Sequence, residues 1–138
     1  MLPWFFYGTL LDGDVFRAVT GKSLQAFDPL PAEARHFRKV FLPGQSYPTL
    51  IGATGGSADG LVCRKLPKAV VQRIHAYEGP DYTFRRISVS LGNGARLQAL
   101  TYFSRVVPFS AAMPWKFEDW VRDGREVTLR RIRIMGQP

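Results

Sequence analysis

The sequence predicts an α/β domain of the α+β type, rich in strands, with hairpins and a few short helices. Three observations predict it. Extended runs of aromatic and β-branched residues recur from Trp4 to Phe103. Breaks such as Pro43-Gly44 and Gly92-Asn93-Gly94 punctuate them. Helical caps and helical spacing are confined to three short stretches. Tight hairpin turns join antiparallel strands, so the sheet is not purely parallel.

Trp4-Phe5-Phe6-Tyr7 reads as a short aromatic strand that stops at Gly8. Asp12 or Asp14 caps a helix that runs through Thr20, with Val15, Phe16 and Val19 on its apolar face and Gly21 as its end. His36 to Leu42 mixes aromatic, β-branched and basic residues, as a half-exposed strand does. Pro43-Gly44 breaks it. Ser46 to Ile51 is a second extended piece, because a residue before proline, here Tyr47, is steered away from the helical region. Residues 52–60 hold four glycines with Ser57 and Asp59, which predicts a turn or hairpin loop. Gly60 to Arg64 resumes a strand.

Pro67 suits the first position of a helix, and Val70, Ile74 and Tyr77 follow at spacings of four and three. Gly79-Pro80 stops that helix. Phe84 to Leu91 and Ala95 to Phe103 form a hairpin about Gly92-Asn93-Gly94. A last helix runs from near Pro114 to Gly124, with Phe117, Trp120 and Val121 as its buried face. Val127 to Ile134 alternates as a final strand does.

The chain of 138 residues suits one domain over 1–138, since no repeat, low-complexity tract or linker divides it. Hydrophobic residues make up 46% and aromatics 13%, enough for one core without staples and too many for a disordered chain. No apolar run nears the roughly 20 residues of a membrane span, and the N-terminus lacks the pattern of a signal peptide. Cys63 is the one cysteine, so no internal disulfide forms. These features point to a cytoplasmic protein with no membrane partner. The formal net charge is +8. It fits either an acidic partner, such as nucleic acid or an anionic metabolite, or a basic surface that keeps the protein soluble. The cations are spread from Arg17 to Arg133 and accompany no nucleic-acid motif, which favours the surface reading.

Several chemistries drop out. His36 and His75 stand far apart, without Cys or carboxylate at ligand spacing, so no metal site is expected. Cys63, between Val62 and Arg64, reads as a small buried hydrophobe. Phosphate-loop, dinucleotide and serine-nucleophile motifs are missing. Among the carboxylates, Glu78 breaks a local rule. It ends a helix, where the dipole is negative, and aromatic Tyr77 and Tyr82 stand near it. That setting raises a carboxyl pKa and marks a functional site, or else the carboxylate is exposed and pairs with Arg85 or Arg86. Tyr7-Gly8-Thr9-Leu10 is the second feature. A glycine after an apolar strand lets the backbone approach a ligand, and free amides there bind anions; the same residues also suit an ordinary strand end.

Phe6-Tyr7-Gly8-Thr9-Leu10, Tyr47-Pro48, Asp59-Gly60, Tyr77-Glu78-Gly79, Tyr82 and Arg85-Arg86 together resemble the γ-glutamylcyclotransferase-like superfamily, over about residues 5–103. The nearest likeness is to its branch of γ-glutamylamine cyclotransferases and avirulence-induced plant proteins. The resemblance implies a small mixed β-barrel flanked by short helices. It implies cleavage of a γ-glutamyl amide to 5-oxoproline and a free amine, an acyl transfer of lyase type, without metal or cofactor. Glu78 is then the proton acceptor and donor, and Tyr7, Gly8, Thr9 and Leu10 line the glutamyl moiety. Tyr47, Tyr82 and Arg86 are further pocket residues, though Tyr82 and Arg86 also suit strand residues that pin the Glu78 turn. The leaving amine stays open between a free amino acid, the ε-amine of lysine and a polyamine. Oligomeric state and the role of residues 108–138 stay open too, with Trp115, Phe117 and Trp120 suited to the core or to covering the pocket. A binding protein of the same fold and a nucleic-acid-associated basic protein are the competing readings.

Overall fold

The computed structural model describes residues 1–108 and 112–135; residues 109–111 and 136–138 of the C-terminal segment lie outside the described residues. Five strands close into a barrel: β1 (Trp4–Phe6), β2 (Leu30–Phe41), β3 (Pro48–Cys63), β4 (Tyr82–Leu91) and β5 (Arg96–Ser104). Their order around the barrel is β1-β3-β2-β4-β5. β1 runs antiparallel to β3 and parallel to β5, where Trp4 stands beside Leu100. The remaining neighbours are antiparallel. The predicted small mixed barrel with hairpins is therefore the observed one.

The side-chain period of two divides β1 between two cores. Phe5 and Tyr7 pack with Leu50, Val62, Val89, Phe103 and four small alanines, which suits the narrow inside of a five-stranded barrel. Trp4 and Phe6 face the other way, into a second core shared with Phe16, Val70, Ile74, Trp115 and Trp120. The helices bury their apolar faces there. Phe5, Val15 and Phe16 are fully buried, each stabilising the fold by about 1.5–3 kcal/mol.

Helix α1 (Gly13–Thr20) follows the sequence closely. The Asp12 side chain caps it by accepting from the amides of Asp14 and Val15, and Gly21 ends it in the left-handed region. Asp12 also accepts from Nε of Arg125 at 2.7 Å, and Arg125 pairs with Asp14 as well. This clamp ties α1 to the C-terminal helix. Asp12→Ala removes the cap and half of the clamp together. It is expected to lower stability by about 2 kcal/mol, read as a lower midpoint in thermal denaturation.

Three elements differ from expectation. Residues 52–60 are not a chain reversal but the middle of β3, paired with β2 from Ala32–Gly60 to Phe37–Gly52. The glycines mark an irregularity within that ladder. The register shifts between Arg35 and Phe37, His36 takes φ 68°, and its Nδ1 accepts from the amide of Gly55 at 3.2 Å. β2 accordingly begins at Leu30, before His36. The helix expected from Pro114 begins later, as α3 (Phe117–Asp123), and Val121 is exposed rather than part of its buried face. Met113 and Trp115 instead bond to the end of β2 through Phe41 and Lys39.

The third correction concerns Val127 to Ile134, which is no strand but most of helix α4 (Arg125–Met135). Its inward residues are Thr128, Leu129 and Ile132, which share a helical face rather than alternating. A closed barrel offers no free edge to a sixth strand, whereas a helix satisfies its own backbone. No described helix is long and apolar enough to cross a membrane.

Candidate active site

Helix α2 (Lys68–Glu78) ends on Glu78, as its sequence predicts. Pro67 stands just before its first residue. Gly79 caps the end at φ 79° and ψ −178°, a conformation that only glycine adopts at little cost, and the chain turns there into β4. Glu78 thereby faces a cavity of about 460 Å³ between the end of β1, the start of β4 and α4. Tyr7, Gly8, Thr9 and Leu10 line the same cavity, as do Tyr47 and Tyr82. The two segments singled out in the sequence, some seventy residues apart, thus line one cavity.

All five tyrosines of the chain line this cavity. Their hydroxyls are engaged elsewhere than at Glu78. Tyr7 donates to the Tyr102 carbonyl at 2.7 Å, and Tyr82 to the Pro48 carbonyl at 2.9 Å. Tyr77 and Thr9 share a hydrogen bond of 2.6 Å, which fastens the N-terminal loop to α2. Tyr102 bonds Nδ1 of His75 at 2.5 Å, and Tyr47 accepts from Arg131. Glu78 has no ion-pair partner among the described residues, and neither Arg85 nor Arg86 compensates it.

Burial therefore acts on Glu78 alone and pushes its carboxyl up to about 8. The side chain is not sealed off, since the cavity reaches it, but protein surrounds it and replaces most of its hydration. The neighbours register its charge. Burial first, and then the Glu78 carboxylate, raise the hydroxyls of Tyr7, Tyr82 and Tyr102. A carboxyl that takes and gives up a proton near neutral pH, in a pocket walled by aromatic rings, is equipped for general acid–base chemistry.

The structure does not bring every anticipated residue to the cavity. Arg86 is exposed on β4, paired across the ladder with Leu100, and does not line it. Trp115 and Trp120 are buried and Phe117 partly buried in the outer core, so these three do not cover the pocket. The C-terminal cover comes from α4, through Thr128, Arg131, Ile132 and Met135. Those residues escape sequence reasoning because α4 reads there as a strand. Tyr102 was hidden within an ordinary strand pattern. Cys63 is fully buried and its thiol is pushed up to about 12, which leaves it an inert core residue.

Comparison with known proteins agrees with this architecture. No curated protein matches the chain in sequence. A solution structure of an Arabidopsis thaliana protein superposes with a TM-score of 0.70 at 23% identity, covering 97% of this chain and 81% of its own. A structure described as a γ-glutamyl cyclotransferase superposes with a TM-score of 0.64 at 14% identity, covering 96% and 86%. A Homo sapiens protein gives 0.65 at 15% identity, over the same shares of the two chains. These likenesses establish the fold. Residues 4–122 match the family described as "Gamma-glutamyl cyclotransferase, AIG2-like", and the chain belongs to that family.

Proposed function

We propose that this protein cleaves a γ-glutamyl amide to 5-oxoproline and a free amine, with Glu78 as general base and then general acid. The observation that carries this reading is Glu78 itself, an uncompensated carboxyl raised to about 8 in the cavity that Tyr7–Leu10 also line. The substrate's own α-amine is the nucleophile, so the enzyme needs none. An α-ammonium has a pKa of about 8, and a base of matching pKa takes its proton with little energetic cost. The nitrogen then attacks the γ-carbonyl carbon, the lactam C–N bond forms as the attacking nitrogen releases its second proton to solvent, and the bond to the leaving nitrogen breaks. Glu78 returns the proton to that nitrogen. No water is consumed.

Holding the glutamyl chain folded for ring closure supplies several kcal/mol, as oriented intramolecular reactions do. The cavity's tyrosine walls suit that task. The backbone amides of Gly8 to Leu10 serve either the α-carboxylate or the oxyanion of the tetrahedral intermediate. The residues present supply acid–base catalysis and positioning, and the reading involves no cofactor.

Release of 5-oxoproline from a panel of γ-glutamyl amides tests the proposal. No product from any of them, with folded protein, turns the balance to a non-catalytic binding protein. Against that alternative, a small-anion binder gains nothing from a buried ionisable carboxyl. The nucleic-acid reading has no specific observation in its favour: Lys39 is buried beside Trp115 and Asp59, and Arg131 is held at Tyr47.

The pH profile is a sharper check. The reactive pair is ionised Glu78 with the ammonium form of the substrate. The first becomes available as pH rises through about 8, and the second disappears as the amine deprotonates. The expected dependence of kcat/KM is a bell with its maximum near pH 8. An acidic limb centred below pH 5 would mean that an ordinary exposed carboxylate is the base.

A further inference from the structure

Gly79, Pro80 and Asp81 join Glu78 at the end of α2 to the first residue of β4, and all three line the cavity. Little within that turn fixes its shape. Gly79 is conformationally permissive, and Pro80 has no N–H to donate. Inside the turn, the Tyr82 amide donates to the Gly79 carbonyl at 3.3 Å. The next two carbonyls are both taken by one residue from outside it. Arg105 donates its backbone amide to the Asp81 carbonyl at 2.8 Å and its side-chain Nε to the Pro80 carbonyl at 2.9 Å.

Arg105 is itself held in place. It follows Ser104, the last residue of β5. The Ser104 amide donates to Oγ1 of Thr49 at 2.9 Å, and the Ser104 hydroxyl accepts from the Val106 amide at 3.1 Å. Thr49 is buried in β3. The anchored end of the barrel thus reaches the Glu78 turn through one side chain. That side chain lies over a neighbouring recess with His75 and Phe84 and does not line the Glu78 cavity. It forms no ion pair with Glu78. Its contact with the catalytic machinery is the turn alone.

We propose that Arg105 is a positioning residue: its bond to the Pro80 carbonyl locks the Gly79–Asp81 turn and so holds the Glu78 carboxyl toward the substrate and out of water. This rests on the cyclotransferase reading. Arg105 acts through a donor at a fixed distance from its Cα, and its charge is incidental.

Two variants separate donor from charge. Arg105→Met removes the donor at equal side-chain length. Arg105→Gln carries an uncharged N–H at Nε2, as many bonds from Cα as the arginine Nε. Both are assayed on the γ-glutamyl amide of the panel that the wild type turns over fastest. Arg105→Met is expected to lower kcat about 10-fold with KM changed less than about twofold, the size of one lost hydrogen bond expressed in the transition state. Arg105→Gln is expected to restore kcat to within about threefold of wild type. Without substrate, the Glu78 carboxyl is followed by carbon-13 NMR. It is expected to titrate lower in Arg105→Met than in wild type or Arg105→Gln, because a loosened turn admits water. The five tyrosines, Asp81 and Arg131 that line the cavity, and His75 behind Tyr102, are the same in all three proteins, so the shift reports the turn. Wild-type kcat and titration in Arg105→Met overturn the proposal, even where the thermal midpoint falls, since that is the mark of a bond that serves stability alone. An Arg105→Gln as impaired as Arg105→Met also overturns it, because the effect then belongs to charge. Each of these leaves the cyclotransferase reading intact. Absence of 5-oxoproline from every amide with the wild type overturns that reading, and this one with it.

Discussion

Glu78→Gln is expected to lower 5-oxoproline release by about 10²- to 10⁴-fold, the range general acid–base groups supply, and to stabilise the protein in alkaline solution. The amide keeps the shape of the side chain but cannot carry the proton. The stability effect follows from the same burial that creates the base. The folded-state carboxyl titrates near 8 and the unfolded one near 4.5. Between those values the folded protein holds a proton that the unfolded chain has released. A group raised in this way contributes its full stability below about pH 4.5 and loses it as pH rises through about 8. The difference corresponds to about 5 kcal/mol at most, and solvent entering the cavity lowers it to on the order of 3 kcal/mol. Chemical denaturation of wild type and variant at pH 5 and pH 9 reads it directly. The advantage of Gln at position 78 grows with pH if Glu78 is buried and uncompensated. Parallel pH dependences would place the carboxylate in water and remove the basis for its catalytic role.

Gly60→Ala is expected to be the most damaging small substitution in the barrel. Gly60 sits in β3 where β1 passes closest. A Cβ there runs into the Phe6 carbonyl oxygen and stands 2.8 Å from Cε1 of the Phe5 ring. Neither neighbour has room to yield, because Phe5 is fully buried inside the barrel and Phe6 is paired with Leu61. One methyl group should therefore displace β1, at about 3 kcal/mol and a midpoint lower by about 10 °C. β1 leads directly into Tyr7–Leu10, so turnover should fall even at temperatures where circular dichroism shows the variant folded. Gly92→Ala is the matched control. Nothing lies within 4 Å of a Cβ at that turn, and the change should cost little. Equal midpoints for the two variants would contradict the packing described for β1 against β3.

Much of this fold is legible locally. Asp12 and Gly21 bracket α1, Gly79-Pro80 stops α2, and Gly92-Asn93-Gly94 turns the hairpin, because each acts through its own backbone geometry. Residues 52–60 mislead because glycine signals an irregular backbone without saying whether the chain reverses. Here the irregularity is absorbed as a bulge opposite His36, within a strand whose partner residues on either side lie 22 and 15 positions earlier (Ser57 with Arg35, Gly52 with Phe37). Val127 to Ile134 misleads for a related reason. Its pattern fits a strand and a helix equally, and only the closure of the barrel removes the strand's place.

The candidate site divides along the same line. Glu78 and the Tyr7–Leu10 loop stand out in the chain, since a carboxylate at a helix C-terminus and a glycine after an aromatic strand are each locally out of place. Tyr102, Thr128 and Arg131 carry no such mark, and Arg86 carries a misleading one. The amino-acid order was enough to bracket α1, to stop α2 and to mark the anomalous carboxylate, because these depend on residues within a few positions of one another, and to suggest the family from short motifs repeated in order along the chain. Which tyrosines wall the cavity, which arginine faces it and how far the Glu78 proton is held above its usual range depend on segments far apart in the chain. Those properties come from barrel closure and from α4 packing across it, which set desolvation and charge contact, and neither quantity exists until the chain has folded.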